Sequence, residues 1–174
     1  MTTRTPAETI VGTWTTLPTP DGPFTVITTP DDTVLASGWT AEPATLIPLI
    51  HHRLQPAELV RSTMPAIADA VIAYYDGDHD APPAIPVTQR GGAFITQLWA
   101  TVRTVPAGST VTYGHLAELA GRAAAVRAAG TCCVRNAANL FVPVHRVIRG
   151  DGTLGGFRYG LELKQALLAR EAGE

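Results

Sequence analysis

The sequence is poor in cysteine and lysine and has no long apolar run. Its two cysteines, Cys132 and Cys133, are adjacent. Neighbouring cysteines rarely bridge one another, and two ligands cannot complete a zinc site. A disulfide framework is therefore excluded, no metal is expected, and a reducing, cytoplasmic setting fits. No stretch of about 18 apolar residues occurs, which argues against a membrane-spanning helix. Met1 to Glu8 is polar, with one Arg and no apolar segment behind it, so a secretory signal is not expected. Charged residues make up only 16% and hydrophobic ones 45%, enough apolar material for a real core.

The charge that is present is unevenly placed. Residues 1–89 carry three Arg against ten Asp or Glu, a balance of −7, and residues 90–174 carry nine Arg plus Lys164 against five, a balance of +5. This split suggests two modules, 1–89 and 90–174, with the second facing a polyanion. A basic surface without a partner is the competing reading.

Gly12–Leu17 and Phe24–Thr29 read as a hairpin around a Pro/Asp/Gly turn, and Thr33–Trp39 continues the strand pattern. Thr45–Arg53 and Pro65–Tyr75 look helical, the latter with Ile67, Val71, Ile72 and Tyr75 on one face. Asp76–Gly92 is a connector. Ala93–Arg103 is helical, with Phe94, Leu98 and Val102 in register. Thr112 can cap a helix from Tyr113 to Ala120, Gly121 ends it, and Ala123–Val134 forms another. Two short helices across a glycine turn outline a helix-turn-helix. A glycine-rich loop follows, and Leu161–Glu171 closes as an amphipathic helix.

The second helix of the pair is mostly Ala, with Arg122, Arg127 and Arg135 around it. Small side chains read few bases but allow close approach to a minor groove. A tightly packed Ala-rich core helix is the alternative. In Val142–Ile148, His145 directly follows Val144. A His beside a buried reactive position suggests a nucleophile–base pair, yet valine has no lone pair to offer. Glu171 could orient the imidazole. Otherwise His145 is structural.

Several motifs occur together and in order: Thr112-Tyr113-Gly114, Arg127-Ala128-Ala129-Gly130, Asn136, Pro143-Val144-His145-Arg146-Val147 and Gly155-Gly156-Phe157-Arg158-Tyr159-Gly160, with Lys164 and Glu171. This set closely resembles the alkylguanine-DNA alkyltransferases, also called methylated-DNA–protein-cysteine methyltransferases. The resemblance is strong from Gly91 to Glu171 and weak before it, through the Pro18–Trp39 hairpin and Tyr74-Tyr75-Asp76-Gly77. It implies an α/β N-terminal domain, ribonuclease-H-like with a small antiparallel sheet, and a mainly α C-terminal domain with a winged helix-turn-helix. It also implies duplex DNA bound through the minor groove and O6-alkylguanine flipped into a pocket. Tyr113 would push the target phosphate, and Arg127 would fill the vacated stack. Arg122, Arg135 and Arg146 would contact DNA, and Asn136 would brace the hinge. Val147, Phe157, Arg158 and Tyr159 would surround the base. No cofactor is implied, and the protein would be a monomer off DNA.

In active members of that family, cysteine precedes His-Arg, and His and Glu turn it into the attacking thiolate. Val144 cannot accept an alkyl group. Three readings follow. The chain resembles alkyltransferase-like proteins, which bind the lesion and hand it to nucleotide excision repair. Or it is a suicide methyltransferase whose nucleophile is substituted here. Or it is a general DNA-binding regulator with a vestigial pocket. Cys132 and Cys133 are expected to be helix-packing residues outside that pocket. Trp14, Trp39, His51 and His52 are expected to be core or surface residues, and the acidic half to face away from DNA.

Overall fold

β-Branched residues in alternation build the first layer. The computed structural model describes residues 10–173. Strands β1 (Val11–Thr19) and β2 (Gly22–Thr28) pair antiparallel around Pro20-Asp21, from Thr13↔Thr28 to Thr19↔Gly22. Gly22 takes φ 108°, a conformation that side chains resist. β3 (Val34–Gly38) pairs antiparallel with β2, and β4 (Glu58–Arg61) pairs parallel with β1. The order is β3-β2-β1-β4. The sheet is thus mixed, not purely antiparallel as expected, because the chain crosses over between β3 and β4.

That crossover contains no α-helix. Where Thr45–Arg53 was expected to be helical, two 3-10 turns occur, Pro43–Thr45 and Ile47–Leu49. Pro48 lacks an N–H and would clash one turn back, so a continuous helix cannot form. α1 (Pro65–Tyr75) matches the expected span, with Pro65 in its first turn. Its buried face is Ile67, Val71 and Tyr74, whereas Ile72 is 52% exposed. The i, i+4, i+7 stripe turns inward and Ile72, about 100° away from Val71, cannot follow it.

The second half is helical: α2 (Ala93–Val102), α3 (Tyr113–Leu119), α4 (Val126–Arg135) and α5 (Leu161–Ala172). Thr112 caps α3 by accepting from the His115 N–H at 3.2 Å, and Gly121 (φ 88°) ends it. α4 starts at Val126, later than expected, because the Arg122 N–H closes onto Ala117 and the Ala125 N–H onto Arg122. β5 (Val111–Thr112) and β6 (Val147–Ile148) form a short parallel pair at the start of α3.

The outer edge of β3 is what positions the site. Val34 exchanges backbone hydrogen bonds with Pro86 and Thr88, and the Ser37 N–H donates to Ala137 at 2.8 Å. The Ser37 hydroxyl donates to the Asn139 carbonyl at 2.7 Å. The sheet edge is covered by the segments on either side of the helical layer, which leaves no free template for pairing. The main core likewise joins the halves: Phe24, Val34 and Val71 pack with Leu98, Phe141 and Leu167. Among the described residues no helix is long and apolar enough to cross a membrane.

Candidate functional site

The chain leaving α4 is fixed by side-chain amides. Asn136, buried, donates to the Val142 carbonyl at 3.2 Å and accepts from the Gln89 amide at 2.9 Å and the Ala138 N–H at 3.2 Å. Gln89 in turn accepts from the Ala137 N–H at 2.8 Å. Leu140, fully buried, holds φ 76°, a left-handed conformation unusual for a bulky residue. Such strain persists only where surroundings over-determine the backbone. Past Pro143, Val144–Arg146 form one 3-10 turn, and all three side chains are buried.

Behind that turn lies a closed ionic network. His145 Nε2 meets Glu171 Oε1 at 2.6 Å, and the Tyr74 hydroxyl donates to the same oxygen at 3.0 Å. Arg146 Nε donates to Glu171 Oε2 at 2.9 Å and its Nη2 to Oε1 at 3.1 Å. Arg146 also donates to the carbonyls of Val105 and His79, at 2.7 and 3.1 Å. Burial raises a carboxyl pKa, but the hydrogen bonds from His145 and Arg146 and the Arg146 charge outweigh it and hold Glu171 down at about 2. Burial lowers the imidazole pKa of His145 and so keeps it neutral, which makes Nε2 the donor to Glu171. Arg146, expected at the DNA surface, is a correction: it is 1% exposed and its guanidinium is consumed by Glu171 and two carbonyls.

On the other side of the turn a cavity of about 520 Å3 opens. Its walls include Tyr113, Cys133, Asn139, Val144, Phe157 and Arg158. The Asn139 amide nitrogen is buried and finds no hydrogen-bond partner among the described residues. A buried unpaired donor costs about 1–3 kcal/mol unless a ligand or water satisfies it. The two cysteines separate here. Cys132 is fully buried, as expected, but Cys133 lines the cavity, because α4 turns its side toward Val144. Tyr113 is brought in close past Gly155 (φ 72°), where an added Cβ would stand 2.8 Å from the tyrosine Oη.

Other expected base neighbours lie elsewhere. Val147 is fully buried in the core. Tyr159 packs against Trp39, with ring centroids 5.4 Å apart, over the open space at Gly38. Lys164, buried, donates to the Val147 carbonyl at 2.6 Å and to the Leu154 carbonyl, which fixes the glycine-rich loop. Its burial lowers its pKa to about 8. Arg127 and Arg135 are exposed on α4. Arg122 lies over the Phe94 ring at 4.9 Å, and Arg158 donates to the Val134 carbonyl at 2.7 Å. Gln89 and Asn139 carry no signal in the sequence, and Tyr74 carries one only through the Tyr74-Tyr75-Asp76-Gly77 stretch; the unpaired amide and the Gln89–Asn136 bond exist only once the chain is folded.

This fold and cavity define a mixed-sheet and helix protein with a pocket large enough to admit a base beside a buried His–Glu pair. The 6-O-methylguanine DNA methyltransferase, DNA binding domain family matches residues 93–173. The methylated-DNA–protein-cysteine methyltransferase of Shigella flexneri is 34% identical over 156 residues, 88% of this chain and 91% of its own length. The bifunctional transcriptional activator/DNA repair enzyme Ada of Escherichia coli is 47% identical over 93 residues, 53% of this chain but only 26% of Ada. Mycobacterium tuberculosis OGT, crystallised in complex with DNA, superimposes with a TM-score of 0.75 at 26% identity over 92% of this chain and 93% of that one. The chain belongs to the methylated-DNA–protein-cysteine methyltransferase family.

Proposed function

We propose that this chain is a DNA repair protein that binds duplex DNA in the minor groove, flips out O6-alkylguanine and holds it without alkyl transfer. The observation that carries this reading is the cavity itself: it is large enough to admit a purine base, Asn139 with its unpaired amide nitrogen is among its lining residues, and its wall at position 144 is an aliphatic side chain. Residues 1–89 serve as the structural module and residues 90–174 as the DNA-facing one. α3 and α4 act as the helix-turn-helix, with Arg127 filling the stack and Tyr113 pressing on the target phosphate. Flipping costs a few kcal/mol, which a filled stack lowers. Phe157 packs on the base. The protein works in the cytoplasm as a monomer off DNA and leaves the lesion marked for nucleotide excision proteins.

A second reading is a suicide methyltransferase whose acceptor is substituted. The intact His145–Glu171 contact at 2.6 Å favours it, since a pocket used only for sensing has less need of a thiol activator. Both readings predict binding without transfer for this chain. The test is a side-by-side titration of methylguanine and unmodified duplexes of one sequence at one salt concentration. Tighter binding of the methylguanine duplex is expected. Equal affinities sink damage recognition and leave a general DNA-binding regulator.

A further inference from the structure

We propose that the cleft between residues 48–54 and the end of α4 is a second phosphate-binding surface, which takes the DNA backbone beside the nucleotide held in the base cavity. The inference rests on the DNA reading above. A cavity of about 480 Å3 opens there, lined in part by His51, Arg90, Arg135 and Arg158 and, among the described residues, by no Asp or Glu. Its floor is apolar, formed in part by Ile50 and Trp99. Val134 and Arg158 line both this cleft and the base cavity, so the two cavities adjoin.

The composition makes this placement notable. The first 89 residues hold three Arg against ten acidic residues. Yet His51 and His52, with ring centroids 4.3 Å apart, and Arg53 gather at the side that meets the basic half. Desolvation and the positive field of His52, Arg90 and Arg53 lower the imidazole pKa of His51. The guanidinium groups of Arg90, Arg135 and Arg158 around the cleft repel one another, and a polyanion relieves that repulsion and favours a protonated His51. Phosphate contacts of this kind add affinity without sequence preference. The acidic half therefore does not face wholly away from DNA: one corner of it meets the backbone.

The test uses full-length Arg90→Gln and His51→Gln, with Arg61→Gln on β4 as a control for loss of one charge elsewhere. Affinity for methylguanine and unmodified duplexes is measured across a salt series. For each cleft variant, both duplexes should bind several-fold more weakly, and the slope of log K against log salt should fall by about 1 per lost phosphate contact. The ratio of the two affinities should not move, because neither residue lines the base cavity. Slopes equal to those of the control would overturn the proposal. A wild-type protein with no methylguanine preference would instead overturn the base-holding reading, and the slopes would still judge the cleft. Imidazole NMR of the wild type separates the source of the anion. Duplex should move His51 toward its protonated form. A response to inorganic phosphate but not to duplex would assign the cleft to a free anion and sink the DNA claim.

Discussion

Cys133 and Val144 line one cavity, so the thiol missing from the 3-10 turn has a counterpart on the facing wall, presented by α4. Its neighbour Cys132 is fully buried in the core. The hydrogen bond with Cys133 and burial push the Cys132 thiol up, far from thiolate chemistry.

A small maleimide should therefore label Cys133 well before Cys132, as read by peptide mass spectrometry. Methylguanine duplex should protect Cys133 by filling the cavity. Earlier labelling of Cys132, or no protection by duplex, would contradict the placement of the cavity.

Glu171→Gln should destabilise the fold by about 3–5 kcal/mol, because it strips the buried counter-charge from Arg146 and leaves it only the exposed Asp80 carboxylate at 3.6 Å. The pH dependence has a defined sign. Glu171 titrates at about 2 in the fold against an ordinary 4.5, so its contribution is complete above about pH 4.5 and is lost as pH falls toward 2. Thermal melts of the wild type should lose stability through that window, and melts of Glu171→Gln should lose less.

Gly38 and Tyr159 make a second packing test. A Cβ at position 38 would stand 1.7 Å from the Tyr159 Oη. Gly38→Ala should cost about 1–3 kcal/mol, since the ring must leave its place against Trp39. The Tyr159 hydroxyl is itself buried without a partner among the described residues, so Tyr159→Phe should melt at or above the wild-type temperature.

Much of this architecture was legible in the sequence because strong local signals agreed with tertiary packing. Pro65 and the Ile67/Val71 spacing marked α1, Thr112 and Gly121 bracketed α3, and the Pro/Asp/Gly turn marked the hairpin. β4 was missed because Glu58–Arg61 is short and mostly exposed, and its parallel partner is distant in sequence. The helix expected over Thr45–Arg53 failed on one residue, Pro48. At the site, the orientation of His145 by Glu171 that the chemistry suggests is met by their 2.6 Å contact, whereas Arg146, expected at the DNA surface, is buried. Nothing in a run of Val-His-Arg-Val tells which side of the turn faces inward. Cys133 is hidden for a different reason: it sits next to the buried Cys132 on α4, at the border between the core-facing and exposed sides, and only the packed helix shows which way it turns.

The most direct measurement is the intact mass of the protein after incubation with methylguanine duplex, for the wild type and for Val144→Cys. Holding without transfer predicts an unchanged wild-type mass. It also predicts that Val144→Cys gains one methyl group on that cysteine, because His145 and Glu171 already stand 2.6 Å apart behind it. A methyl group on the wild-type protein, on Cys133 or anywhere else, would contradict the account.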